Sequence, residues 1–202
     1  MIDEFTRSGI TDGIILMSSR VKSPSIPLLL KAGFPFVVVG RPENEYEVNW
    51  VDNDNFLLGY EMTKHFIDLG HTKIAFLGVS PEFTVTVDRL RGYRKALEDR
   101  GMPFDDEMVV EGKFVDDTGY ELIKKLLDRG KTPSGVIACD DLLAFGAIKY
   151  LTENGLKVPE DIAVAGFNNV PLADYFNPPL TSVDVNSFSL GAKAFDLLLA
   201  NI

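Results

Sequence analysis

Seven short apolar runs alternate with amphipathic helical patterns along this chain, and that rhythm restricts the fold more than any other feature. The runs are Gly13 to Met17, Phe36 to Val39, Lys73 to Leu77, Met108 to Val110, Gly135 to Ala138, Ile162 to Phe167 and Thr181 to Val185. Most are continuous and rich in Val and Ile, the pattern of strands covered on both faces. Between them, Leu58, Met62, Phe66 and Leu69 recur at helical spacing, as do Leu90, Tyr93 and Leu97, then Leu190, Ala194, Leu197 and Leu198. Thr118 and Glu121 form a capping-box pattern before Leu122, Ile123, Leu126 and Leu127. Gly70, Gly101, Gly130 and Gly155 each follow an apolar stripe, where a left-handed terminal residue stops a helix. Strand and helix in alternation predict an α/β fold with parallel sheets and right-handed crossovers.

Two of the runs end on paired short polar residues, GVIACDD at Asp140 and Asp141 and IAVAGFNN at Asn168 and Asn169. Ligands of open α/β sheets sit outside the carboxyl ends of the strands, so such pairs mark a candidate small-molecule site. A formal net charge of −10 argues against direct nucleic-acid contact by these residues, because phosphate binding needs clustered Lys and Arg. The single cysteine, Cys139, lies in an apolar run and suits a reducing compartment. No apolar stretch nears the ~20 residues of a membrane span.

Catalytic and cofactor fingerprints are missing from the sequence. It has no G-x-S-x-G elbow around Ser80, no H-E-x-x-H, no C-x-x-C, no Walker loop and no G-x-G-x-x-G. His65 and His71 are not spaced for one metal-binding helix face, and LGH at a helix end reads as a cap. A pair of catalytic carboxylates, Asp140 with Asp54, can be imagined but is disfavoured. We therefore expect a binding protein, not an enzyme, with no cofactor and no metal. The chain opens on about one helical turn, Ile2 to Ser8, before a strand of central character, and stops within a helical pattern at Leu197 to Ile202. Further chain is expected at both ends.

The stretches TDGIILMSS, FVVVGRP, VDNDNFLLGYEMTKHFIDLGHTKIAFLG, DRLRGYRKAL, GVIACDDLLAFGAI, VPEDIAVAGFNN and NPPLTSVDV stand in an order and spacing that resembles the effector-binding region of the LacI/GalR family of transcription regulators. The resemblance runs from about residue 10 to the end. It implies a periplasmic-binding-protein-like type I fold of two Rossmann-like subdomains joined by three crossovers. The N-terminal subdomain, incomplete, would comprise residues 1–80 and 179–202, and the C-terminal subdomain 81–178, with Pro81 at the hinge. A sugar or similar small polar effector would lie between them, and an N-terminal helix-turn-helix outside this chain would contact operator DNA.

The same resemblance nominates residues. Arg89 matches an arginine that grips ligand oxygens, and its guanidinium offers a fixed fork of donors; Arg91 and Arg94 read as helix-surface residues. Asp140 falls where the family usually has asparagine, and Asn168 where it commonly has aspartate. Either Asp140 or Asp141 could cap the following helix; we assign capping mainly to Asp141 and ligand contact to Asp140. Asn168 competes with a turn-forming role. Phe114 matches an aromatic slot that could stack on a sugar ring or base, against the default of a core phenylalanine. Asp54 matches a cleft-facing acid and Arg41 follows FVVVG, with helix capping as the other reading of Asp52 and Asp54. Phe145 and Phe176 match positions where second lobes meet in a homodimer, and Leu142, Phe145, Tyr150 and Phe176 could form an exposed apolar patch there, with core packing as the other reading. The expectation is the cytoplasmic effector-binding core of a repressor in which ligand and operator affinity are allosterically linked, its effector an α-linked sugar such as maltose. The alternative is a solute-binding protein of an ABC transporter.

Overall fold

The computed structural model describes residues 6, 9–17, 20–42, 46–113 and 118–202. Phe114 lies outside them, as does all but Thr6 of the helical turn expected over residues 2–8. The chain divides into two compact units: Met1–Asn53, Glu82–Val85 and Asn186–Ile202 form the first, Asp54–Pro81 and Thr86–Val185 the second.

In the first unit, β1 (Ile14–Leu16), β2 (Phe36–Val39) and β3 (Trp50–Val51) form a parallel sheet in the order β1-β2-β3. Alternate side chains of a strand point to opposite faces. Phe36 and Val38 accordingly pack with Ile26 and Leu29 of α1 (Ser25–Ala32), while Val37 packs with Ala194 and Leu198 of α6 (Ser187–Leu199). Two residues give no readable period, so β3 had no signal in the sequence.

The second unit holds a five-stranded parallel sheet, β5-β4-β6-β7-β8, of β4 (Ile74–Gly78), β5 (Val109–Glu111), β6 (Gly135–Ala138), β7 (Ala163–Phe167) and β8 (Thr181–Val183). Its helices are α2 (Asn55–Asp68), α3 (Thr84–Asp99), α4 (Gly119–Asp128) and α5 (Asp141–Glu153). Right-handed crossovers put α3 on one face and α4 with α5 on the other. The chain leaves β4 toward β5 and β6 toward β7, in opposite directions along the sheet. The topological switch point therefore lies between β4 and β6.

This arrangement corrects the expected subdomain boundaries of 1–80 plus 179–202 and 81–178. Strand β4 hydrogen-bonds to both β5 and β6, and β8 to β7, so both belong to the second sheet. The reason is visible in IAFLG, every residue of which is buried: it is an interior strand of the larger sheet. Pro81 does close the segment Asp54–Pro81, as expected of a boundary proline.

Local stop signals behave as read. Gly70, Gly101, Gly130 and Gly155 all have positive φ. At the end of α2, Gly70 N–H donates to Ile67 O and His71 N–H to Phe66 O, the paired bonds of a Schellman cap. The His71 ring lies 5.1 Å from that of Phe66, with Nδ1 3.1 Å from Ser134 Oγ, so LGH is structural. Thr118 is the N-cap residue of α4, but its hydroxyl donates to the Glu121 carboxylate and makes no side-chain cap bond to the backbone.

Candidate functional site

Helix α3 follows β4 and carries Arg89 to the switch point. Glycine makes this possible: a Cβ on Gly59 of α2 would lie 2.2 Å from the Arg89 carbonyl oxygen, so only a bare residue lets the two helices approach so closely. Tyr93, one turn on, ties α3 to the sheet by donating its hydroxyl to Ile74 O at 2.8 Å, and burial pushes that phenol far above its ordinary range.

Arg89 is only 4% exposed. Its Nη1 donates to Cys139 O at 2.6 Å, at the carboxyl end of β6, and its Nε to Asn55 Oδ1 at 3.0 Å, at the start of α2. The guanidinium carbon stands 4.2 Å from the centroid of Phe167, the last residue of β7. Three elements thus fix the plane of one cation. Arg91 and Arg94 are surface residues as expected, paired with Asp88 and Asp106.

The capping role falls on Asp140, not on Asp141 as expected. Asp140 is the N-cap: its backbone is extended, and its Oδ1 accepts from Leu143 N–H at 2.8 Å. Asp141 is already helical and wholly buried; its Oδ1 accepts from Ser182 Oγ at 2.6 Å and its Oδ2 from Val170 N–H at 2.9 Å. A cap must precede the first helical residue, which selects Asp140, whereas Asp141 stitches α5 to the chain after β7 and to β8. Asp140 remains half-buried, and burial raises its carboxyl above the ordinary range despite the Leu143 bond and the Arg89 charge, which both lower it.

Asn168 ends β7 in a left-handed conformation, φ +103°, with its N–H donated to Val183 O; Asn169 follows at φ +46°. The turn-forming role is therefore present, at a half-buried residue adjoining the ring that Arg89 covers. Asp54 is exposed and caps α2 through Leu57 N–H at 2.9 Å. It belongs to the second unit, not the first as expected. Asp52 does not cap that helix: its Oδ2 accepts from Arg41 N–H at 2.9 Å in the first unit, where Arg41 is half-buried beyond β2.

Arg89, Asp140 and Asn168 thus share the carboxyl edge of one sheet, with Asp54 joined through its neighbour Asn55. A cavity of 260 Å³ in the same unit opens among Thr72, Tyr93, Asp105 and Lys131 and includes none of these residues. Among the described residues, no group of three His, Cys, Asp or Glu is placed to hold a metal. Phe145 is 7% exposed and stacks on Phe176 at 4.5 Å, so its ring is used within the unit and offers little to a partner; Leu142 is 72% exposed.

Residues 63–202 match the family described as a periplasmic binding protein-like domain. A putative LacI transcriptional regulator from Bacillus cereus subsp. cytotoxis superposes with a TM-score of 0.95 at 33% identity, over 100% of this chain and 72% of that one. The chain belongs to the LacI family of regulators. The regulator CelR of Thermobifida fusca is 36% identical over 95% of the chain, and the chain spans 57% of its length. A structure of a CelR–cellobiose complex superposes with a TM-score of 0.91 at 34% identity, over 98% of this chain and 61% of that one. These relatives are transcriptional regulators. No helix among the described residues is long and apolar enough to cross a membrane.

Proposed function

We propose that this chain is the effector-binding core of a cytoplasmic transcription regulator, with a small neutral sugar as effector and Arg89, Asp140 and Asn168 as contacts. One observation carries the reading: a buried guanidinium, held at the switch point by the ends of β6, β7 and α2, stands beside half-buried Asp140 and Asn168. Groups fixed in advance lose little freedom on binding and keep their geometry for hydroxyl recognition. The cellobiose held by a CelR structure supports a sugar. Phe114 and Asp54 are further proposed contacts.

Operator DNA would be bound by other residues of a longer protein, because a chain of net charge −10 repels phosphate. A homodimer would draw on Leu142 and Phe176. Coupling of effector to operator in such a system amounts to about 1–3 kcal/mol.

The test is a thermal-shift screen of ribose, maltose and cellobiose against wild type and Arg89→Ala, each shift taken from that protein's own unliganded midpoint. At least one sugar should raise the wild-type midpoint and leave Arg89→Ala unmoved. Equal stabilisation of both would remove Arg89 from the site, and no stabilisation by any of the three would remove the sugar reading.

A further inference from the structure

Beyond β7 the backbone makes a turn that few residues adopt. Asn168 and Asn169 are successive left-handed residues, and among the described residues the only other non-glycine with positive φ is Asn186, the N-cap of α6. Such conformations are costly for residues with a Cβ, persist only where their surroundings hold them, and gather at ligand sites. Here three consecutive backbone amides are held. Asn168 N–H donates to Val183 O at 2.9 Å, Asn169 N–H to Ser182 Oγ at 3.0 Å and Val170 N–H to Asp141 Oδ2 at 2.9 Å. The last two acceptors are linked, because Ser182 Oγ donates to Asp141 Oδ1 at 2.6 Å. Ser182 pairs with Gly166 across β7 and β8, and a Cβ on Gly166 would collide with that same Oδ1. The bare glycine is what admits the carboxyl to the strand pair.

We propose that Ser182 and Asp141 are positioning residues of the effector site, holding the turn that presents Asn168 to a neutral, hydroxyl-rich sugar. The proposal rests on the sugar-effector reading above. Neither residue needs to touch the sugar. An amide side chain both donates and accepts, so its value to a ligand depends on an orientation set in advance. Without the Ser182 hydroxyl, Asn169 N–H loses its acceptor and Asp141 Oδ1 its donor, and the turn relaxes toward ordinary φ. Strands β7 and β8 pair through main chain and stay folded, so the loss falls on the turn.

The experiment is calorimetric titration of the 202-residue chain with ribose, maltose and cellobiose, as wild type, Ser182→Ala and Ser182→Thr. It is run at a temperature where circular dichroism shows all three proteins fully folded. A sugar that binds wild type should bind Ser182→Ala about fivefold or more weakly, and Ser182→Thr, which keeps the hydroxyl, within about twofold of wild type. Amide exchange at Asn169 and Val170, which needs no sugar, should quicken in Ser182→Ala and not in Ser182→Thr. A purely structural role would lower the melting temperature of Ser182→Ala and leave the dissociation constant of the folded protein unchanged. That result overturns the proposal and leaves the sugar reading standing, as does weakening that threonine fails to restore or that comes without faster exchange. Absence of binding to wild type by all three sugars removes the sugar reading, and the proposal with it.

Discussion

The first unit is a scaffold of carbon, and the second holds charge. Around β2, the buried side chains are Ile26, Leu29, Val37, Val38, Ala194 and Leu198. Among the described residues, the buried charged side chains Asp88, Arg89 and Asp141 all fall in the second unit. Burying an ion is costly unless hydrogen bonds replace its hydration, and Arg89 and Asp141 meet that condition with partners on several elements. A larger sheet with two layers of helices can hold such partners; three short strands between α1 and α6 need only shape. Sites therefore demand tighter construction than scaffolds, and glycine shows where.

Helical glycines expose the contrast most directly. In α2, a methyl at Gly59 would strike the Arg89 carbonyl, which is backbone and cannot rotate away. Gly59→Ala should destabilise the second unit by about 3 kcal/mol, the upper end of what overpacking typically costs, and displace Arg89; urea unfolding followed by far-UV circular dichroism would show it. A cost below about 1 kcal/mol would mean that α2 and α3 can part easily. Next in size is Asp141→Ala, which leaves Ser182 Oγ and Val170 N–H without their acceptor and should cost about 2 kcal/mol. Hydrogen exchange should quicken at Val170 while Val37 and Val38 keep their protection.

Gly191 of α6 is the counterpart in the first unit, and a methyl there would meet nothing within 4 Å. Gly191→Ala should stabilise by about 0.5–1 kcal/mol through helix propensity alone, read as a rise in urea midpoint at constant slope. A loss of stability instead would show that α6 is packed more tightly than its neighbours indicate.

Legibility followed the same divide. The fully buried runs IAFLG and GVIA stood out because both faces are covered, and the glycine stops were readable because only that residue takes positive φ without strain. Assignment of β4 and β8 to a sheet failed because pairing is decided by partners remote in sequence. Arg89 was visible through resemblance, but nothing local announced that Asn55 and Cys139 would hold it. The move of the cap from Asp141 to Asp140 turned on where one helix begins, a shift of one residue that periodicity does not resolve.

The smallest expected effect concerns pH. Burial raises the folded-state carboxyl of Asp140 above its ordinary value, so the folded chain binds its proton more tightly than the unfolded chain does. Between the unfolded and folded values the native state carries more protons, and stability contributed by this group falls as pH rises through that window. Asparagine keeps an oxygen to accept from Leu143 N–H but does not ionise. Asp140→Asn should therefore lose the component of pH dependence lying above the ordinary carboxylate range, and gain on wild type from acid toward neutral pH. Urea midpoints of both proteins across that range measure it. Parallel curves would mean that the Asp140 carboxylate is as well solvated in the folded chain as in the unfolded one, and the charge-holding character of the second unit would then rest on Arg89 and Asp141 alone.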